Sequence, residues 1–220
     1  MGQKVNPHVL RLGTVFNWSS RWFDNKNYKT IVMQDYKLRK ALMERLKFAG
    51  IARVEIERSI NSIKIIPYVS RPGMVIGRAG TGLEDLKKFI IEVFAKHGLK
   101  GKNAPKIEIA VEPVKEPNLD ATLVAKNVSD QLARRLPFKR VLNQNAERVM
   151  AAGAQGVKIL LSGRIAGAEI GRREKIHLGT VPLSTIRENI HYASFPSLTK
   201  KGYIGVKVWI NVREKGGKAN

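Results

Sequence analysis

The chain has 220 residues, of which 43% are hydrophobic, so it can form one large domain or two modest ones with real cores. Its 40 Lys and Arg residues outnumber 18 Asp and Glu residues, and the net charge of +22 favours a polyanionic partner. The absence of cysteine excludes disulfides, thiolate metal sites and cysteine nucleophiles. No run of about 18 apolar residues exists to span a bilayer, and the first seven residues lack the apolar segment of a secretory signal, so we expect no membrane partner.

Residues 1–35 show no sustained periodicity and are predicted to form an N-terminal arm. Aromatic and basic residues are interleaved along it. Such a segment can stack on RNA bases or fix the arm onto another surface, and both interpretations stay open. Its candidate RNA contacts are Lys4 and Arg11.

Residues 36–112 are predicted to form the first domain, in the order helix, strand, strand, short helix, helix, strand. Apolar residues recur at helical spacing in the helices and alternate in the strands. The predicted elements are a helix at 36–49, strands at 54–58 and 63–65, a short helix opened by Pro72, a helix from about Thr81 to Gly98, and a strand at 106–111.

The short loop Gly77, Arg78, Ala79 and Gly80 separates the two later helices of this domain. Two glycines three positions apart let the backbone pass close to a ligand, and the amides that open the next helix carry partial positive charge. Arg78 adds a full charge at the loop tip, and Arg71 precedes the short helix. This pattern suits a phosphodiester backbone.

Two nucleotide-binding motifs do not fit this loop. Gly77 and Gly82 have the spacing of a P-loop, but Leu83 stands where the phosphate-binding lysine is required. A dinucleotide fingerprint that begins at Gly80 has Asp85 at its third glycine position.

The order of elements, with GxxG between two helices after a β-hairpin, is similar to the type II KH domain (α-β-β-α-α-β), an RNA- or single-stranded-DNA-binding module. This resemblance implies that the loop clamps the backbone of about four nucleotides. KH proteins often carry two basic residues in the loop. Here Ala79 takes the second position, so Arg78 alone supplies side-chain charge.

Residues 113–213 are predicted to form a second, two-layer α+β domain with a mixed or antiparallel sheet, followed by a basic flexible tail at 214–220. The fold class of the chain is therefore α+β. The predicted elements are a helix capped by Asn118, a helix from Pro137 to Gly153, strands at 157–161, 177–181 and 203–212, and a short helical piece after residue 184.

Basic residues gather where the two helices of this domain meet. Arg134 and Arg135 lie in the last turn of the first helix, where cations complement the helix dipole and can simply stay solvated. Lys139 and Arg140 open the next helix, where positive charge is disfavoured. The four residues therefore favour a nucleic-acid contact.

A glycine-rich segment follows the first strand of this domain and carries Arg164, Arg172 and Arg173. Its glycines can bring the backbone close to phosphate, so these three arginines are further candidate RNA contacts.

The sequence predicts no catalytic residue, cofactor or metal. The four histidines lie far apart without ligand spacing. Glu55 and Glu57 alternate on one solvated strand face, while Glu84 and Asp85 begin a helix whose dipole favours acids, so a metal-dependent nuclease is not indicated.

The whole chain resembles the bacterial-type small-subunit ribosomal protein three family. Ordered matches carry this resemblance: MGQKVNP (1–7), RLG (11–13), IER (56–58), RPG (71–73), VIG (75–77), LDA (119–121), SGR (162–164), GAEI (167–170), VPL (181–183) and GVKVWI (205–210).

The family resemblance implies a structural constituent of the cytoplasmic small ribosomal subunit. Its partners are then ribosomal RNA of the subunit head, neighbouring head proteins and messenger RNA. In that family, basic residues around the helix junction face the message where it enters and help to unwind it, and the matching residues are Arg134, Arg135, Lys139 and Arg140. The alternative is a free-standing KH-domain regulator of RNA.

Overall fold

The computed structural model of the protein describes residues 4–96 and 106–212. The chain forms two compact units, Trp18–Lys115 and a unit that combines Met1–Asn17 with Glu116–Asn220. The predicted tail at 214–220 lies outside the described residues. Among the helices that are described, none is both long enough and apolar enough to cross a bilayer.

Six α-helices and nine strands occur in the described part of the chain. In chain order they are α1 (Pro7–Leu10), β1 (Ser20–Arg21), α2 (Tyr28–Arg45), β2 (Ile51–Arg58), β3 (Ser62–Val69), α3 (Pro72–Ile76), α4 (Thr81–Lys96), β4 (Lys106–Ile109), β5 (Glu112–Pro113), α5 (Ala121–Ala133), α6 (Phe138–Ala151), β6 (Ala154–Gly163), β7 (Arg172–Gly179), β8 (Ile190–Thr199) and β9 (Gly202–Val212).

The first unit contains α2, β2, β3, α3, α4 and β4 in the order predicted for a type II KH domain, which confirms that fold. Its sheet has the order β1-β2-β3-β4, and β5 also pairs with β3. β2 and β3 are antiparallel, whereas β4 and β5 run parallel to β3. The alternating strand residues Ile56 and Ile65 meet Leu42 of α2 and Ile90 of α4 in the core.

Helix α2 begins at Tyr28, well before the predicted start at residue 36, and ends at Arg45. Its early turns face the core with the buried polar residues Gln34 and Asp35, so no apolar periodicity marks them. The Asp35 carboxylate accepts hydrogen bonds from Arg58, on β2, and from the indole Nε1 of Trp22 at 2.9 Å. A buried polar cluster therefore joins the second turn of this helix to β2.

The first 35 residues are shared between the two units, and do not form one arm. In the KH unit, Ser20–Arg21 adds a short strand parallel to β2. In the other unit, α1 packs against β8.

The second unit has a four-stranded sheet of order β7-β6-β9-β8 in which every neighbouring pair is antiparallel. The structure therefore selects the antiparallel form of the predicted sheet. Helix α5 packs on β8 and β9, and α6 packs on β6 and β7. Val157, Ile159 and Leu161 point from β6 toward the helices and are fully buried.

Two predictions for the second unit are wrong. The N-cap of α5 is Asp120, not Asn118, because Pro117–Leu119 forms a 3-10 turn and the Asp120 side chain accepts the Thr122 N–H at 2.8 Å. The helical piece predicted after residue 184 does not form, and β8 (Ile190–Thr199) follows instead. That strand was missed because serine and proline residues interrupt its apolar alternation.

Candidate nucleic-acid interface

Helix α5 ends in a Schellman motif, a helix C-terminus closed by two backbone hydrogen bonds, which leads directly into α6. Arg134 caps α5, the Arg135 N–H donates to the Leu132 carbonyl at 2.9 Å, and the Leu136 N–H donates to the Gln131 carbonyl at 3.2 Å. This motif reverses the chain tightly before α6. It therefore brings the end of one helix close to the start of the next.

Arg135 adopts a left-handed conformation with φ 62°, at the position where this motif usually has glycine. For a residue with a Cβ, that conformation costs about 1–2 kcal/mol. Backbone geometry alone would favour Gly here.

Arg134, Arg135, Lys139 and Arg140, here called the junction cations, are all exposed. Within residues 4–96 and 106–212, none of them lies within 4.0 Å of a carboxylate. Lys139 and Arg140 occupy the first turn of α6, where the helix dipole repels them. The fold therefore concentrates positive charge without neutralising it.

Arg172 extends this positive surface onto the sheet. Its guanidinium lies 5.4 Å from the ring centroid of Phe138, the first residue of α6. Its Nε also lies 3.6 Å from a Glu174 carboxylate oxygen, so part of its charge is balanced. Arg173 points to the opposite sheet face because side chains alternate along a strand.

Strand pairing brings further cations to the same end of the sheet. Gly163 pairs with Arg172 on β7 and with Ile204 on β9, so the end of β6 lies beside the starts of both strands. Arg164 follows Gly163 directly, and its Nε donates to the Ala168 carbonyl at 2.9 Å. The exposed cations at this basic end are Arg164, Arg172, Arg173, Lys200 and Lys201.

Lys200 and Lys201 were not predicted as contacts. They lie in the turn between β8 and β9, and a Cβ built on Gly167 would lie 3.4 Å from the Lys201 Cγ. The sequence shows two adjacent lysines, but their proximity to the glycine-rich segment follows only from the strand pairing.

The GxxG loop is shaped by packing between α3 and α4. Gly77 has φ 72°, and a Cβ there would lie 2.9 Å from the Gly82 backbone nitrogen. A Cβ on Gly82 would lie 2.4 Å from the Val75 carbonyl oxygen, closer than real Cβ contacts allow. Gly80 has φ 82° with open space around it. Gly77 and Gly82 thus serve the helix contact, while Gly80 leaves room for a ligand.

Arg71 and Arg78 are both exposed beside this loop. Arg78, Ala79 and Gly80 form a 3-10 turn, and the Thr81 hydroxyl donates to the Arg78 carbonyl at 3.0 Å. Helix α4 starts directly afterwards, so its first amides face the same region as the Arg78 backbone.

The prediction that Arg11 contacts RNA is wrong, because this residue is fully buried. Its guanidinium donates to the main-chain carbonyls of Pro7, Pro182, Leu183, Thr185 and Glu188. Burial lowers the pKa of this group from its ordinary value, and nearby Glu188 opposes that shift. Arg11 joins the N-terminal segment to the chain that precedes β8.

Lys4, by contrast, is exposed. It lies near enough to Lys158 to influence it: burial lowers the pKa of the Lys158 amine, and repulsion from Lys4 and Lys175 adds to that effect. Lys4 therefore remains a candidate contact.

Two of the four acidic residues considered for metal chemistry form ion pairs with arginines. Glu55 pairs with Arg21 at 2.8 Å and with Arg53 at 3.2 Å, and Glu57 pairs with Arg21 at 3.1 Å. In the part of the chain that the structure describes, no group of three or more His, Asp or Glu residues is arranged to hold a metal ion.

Two family models match the chain. Residues 37–119 match the KH domain, and residues 128–210 match the model described as "Ribosomal protein S3, C-terminal domain". The two matches correspond to the two sheets.

Curated relatives named "Small ribosomal subunit protein uS3" match almost the whole chain. The protein of Clostridium acetobutylicum is 43% identical over 211 residues, covering 96% of this chain and 91% of the relative. The proteins of Desulfitobacterium hafniense and Bacillus cytotoxicus are 44% and 45% identical, each covering 96% of this chain and 92% of the relative. The chain therefore belongs to the small ribosomal subunit protein uS3 family, whose members are structural, non-enzymatic proteins of the small ribosomal subunit.

Proposed function

We propose that this structural protein of the small ribosomal subunit binds ribosomal RNA in the subunit head and lines the channel through which messenger RNA enters. The junction cations then grip the incoming message and aid its unwinding. One observation carries this proposal: four exposed cations share one helix junction, and no carboxylate in the described residues pairs with them.

The proposed grip is electrostatic and independent of sequence. A guanidinium can bind a phosphate through two parallel N–H donors, and a lysine ammonium binds it as a point charge. Each neutralised phosphate releases counterions, which favours binding at low salt. Contacts to the backbone of one strand hold that strand as it separates from its partner, without reading its bases.

The KH loop and the basic end of the second sheet are proposed as additional RNA contacts. Gly77, Arg78, Ala79 and Gly80 would hold a short stretch of RNA backbone, with Arg71 nearby. Arg164, Arg172 and Arg173 would contact ribosomal phosphates. We further propose that each of the two compact units has its own RNA surface.

The salt dependence of RNA binding tests the role of the junction cations. The variant combines Arg134→Gln, Lys139→Gln and Arg140→Gln, and the matched control removes the same charges elsewhere through Arg148→Gln, Arg187→Gln and Lys29→Gln. Affinity for an RNA hairpin with a single-stranded overhang is measured by fluorescence anisotropy from about 50 to 200 mM salt.

We expect the slope of log affinity against log salt to fall by about 2 in the junction variant, because three single-strand phosphate contacts are lost. The control should keep a slope near that of the parent chain. Equal slopes in the variant and the control, or salt-independent binding by the parent, would contradict the proposed grip.

A further inference from the structure

The sheet of the second unit has one face that neither α5 nor α6 covers. On β6, the fully buried Val157, Ile159 and Leu161 point toward the helices. Lys158 and Leu160 alternate with them and therefore point to the other side. Here this side is called the open face.

The strand pairing fixes which side chains share the open face. Leu160 pairs with Lys175 on β7 and with Lys207 on β9, so these three side chains form one row across the sheet. The neighbouring row contains Arg173 and Ser162, and rows along a strand are about 7 Å apart. Lys175 and Lys207 are separated by two strand spacings, about 10 Å.

The open face is cationic and its charges are not balanced. Lys158, Arg173, Lys175 and Lys207 all lie on it, and within the described residues none of them has a carboxylate within 4.0 Å. No Asp or Glu occupies any open-face position of the four paired strands. Burial lowers the pKa of Lys158, and repulsion from the neighbouring cations Lys4 and Lys175 lowers it further. A polyanion would relieve this repulsion.

The same face offers a flat platform with an exposed aromatic ring. Gly205 pairs with both Ser162 and Pro196, so the middle of the face has only small side chains. Tyr203 lies on β9 two residues before Gly205, is 68% exposed and pairs with Leu198. A base can stack on such a ring while the RNA backbone continues about 13 Å, two rows along the sheet, to the lysines. Sheets bind single-stranded RNA through such aromatic rings and cations.

We propose that the open face binds a single-stranded segment of RNA, with Lys175 and Lys207 on its phosphates and Tyr203 stacked on a base. This site rests on the RNA-binding function proposed above, which already includes Arg173, but it lies on the opposite side of the sheet from the helices that carry the junction cations. The exposed Tyr203 ring on the same face as unpaired cations favours RNA as the occupant over an acidic protein surface.

The test uses the full chain and two RNA probes: a labelled 12-nucleotide oligouridine and a labelled 12-base-pair RNA duplex. The variant combines Lys175→Gln, Lys207→Gln and Tyr203→Leu, all at exposed positions. The matched control, Lys29→Gln, Lys40→Gln and Tyr36→Leu, removes the same groups from the exposed surface of α2. Thermal unfolding verifies that each protein is folded, and Tyr203→Phe alone should keep the stacking contact.

For oligouridine we expect an affinity loss of at least about tenfold in the variant, and a salt slope lower by about 1.4, which corresponds to two single-strand phosphates. The duplex should lose less, because its bases are not available for stacking. The same loss for oligouridine is expected in the Arg134→Gln, Lys139→Gln, Arg140→Gln background, because independent sites are additive.

Failure of this proposal can be distinguished from failure of the function proposed above. If the open-face variant bound oligouridine within about twofold of the parent affinity, the open-face site would be overturned, whatever the junction variant does. Unchanged RNA affinity with reduced incorporation into small subunits would identify a protein contact and also overturn it. An open-face loss that disappears in the junction background would mean that one shared path, not a second site, binds the RNA.

Discussion

Arg11 and Arg135 carry the same guanidinium, but the fold uses the two groups in opposite ways. Arg11 is buried and donates to five main-chain carbonyls, one in α1 and four in the segment without regular structure before β8. Arg135 is exposed and holds a left-handed backbone conformation. One side chain supports the fold, and the other adds charge at the expense of local strain.

Replacement of Arg11 should therefore destabilise the protein without acting on RNA directly. We expect Arg11→Met to lower the free energy of unfolding by at least about 3 kcal/mol, because it leaves several buried carbonyls without donors. Arg11→Lys should recover only part of this loss, since an ammonium has three donors in a different geometry. Urea denaturation measures both variants. A loss below about 1 kcal/mol for the Met variant would contradict this structural role.

The Arg135→Gly variant should change the free energy of unfolding in the opposite direction. Relief of the left-handed strain is expected to raise the free energy of unfolding by about 0.5–1 kcal/mol, after allowance for the flexibility of glycine in the unfolded chain. RNA affinity should fall at the same time, because one junction cation is lost. Arg134→Gly is the control: its φ of −77° needs no glycine, so that variant should be destabilised. If both variants lost stability equally, the strain at Arg135 would be refuted.

At the scale of elements, the GxxG loop depends on the contact between α3 and α4 as much as on its own residues. Gly82 allows α4 to approach the Val75 carbonyl, although this glycine lies outside the GxxG motif. The glycine pattern indicated a loop that can meet a phosphate backbone. It gave no sign of which glycine holds the helices together, because that depends on the tertiary packing of the two backbones.

Gly82→Ala is expected to destabilise the KH unit by about 1–3 kcal/mol, because the new methyl would overlap the Val75 carbonyl and push α3 away. Gly73→Ala, on α3, has open space around its Cβ and should be neutral or slightly stabilising. Hydrogen exchange of the amides in α3 reports the displacement. Equal protection of the α3 amides in the two variants would contradict a close α3–α4 contact that requires glycine at position 82.

Local patterns predicted the elements that have a regular apolar face. The order of the KH unit followed from helical spacing and strand alternation, and the antiparallel sheet was one of two forms predicted for the second unit. The start of α2 was missed because Gln34 and Asp35 fill apolar positions in the buried face. Strand β8 was missed because its pairing with β9, not its own alternation, stabilises it.

The candidate site was predictable only in part, for a similar reason. Charge excess and helix position identified the residues of the α5–α6 junction. The burial of Arg11, the approach of Lys201 to Gly167 and the open-face row of Lys175 and Lys207 all depend on contacts between distant parts of the chain. Such contacts leave no local signal in a single sequence.

At the scale of the whole molecule, the net charge of +22 is distributed over both units, with +3 from residues 1–35, +8 from 36–112 and +11 from 113–220. In the KH unit, Glu55 and Glu57 balance part of the charge through ion pairs with Arg21, Arg53 and Lys64. The junction cations and the open face have no such partners among the described residues. The second unit therefore has the larger share of charge available to RNA.

The most direct test of the central proposal is translation by small subunits reconstituted with the Arg134→Gln, Lys139→Gln, Arg140→Gln variant. The rate on a message with a stable hairpin is compared with the rate on an unstructured message, and subunit assembly is measured in parallel. The Arg148→Gln, Arg187→Gln, Lys29→Gln protein controls for lost charge. If the junction cations hold the incoming message, the translation rate of the variant should fall only on the hairpin message, and subunit assembly should stay normal. Equal losses on both messages, or the same loss in the control, would contradict it.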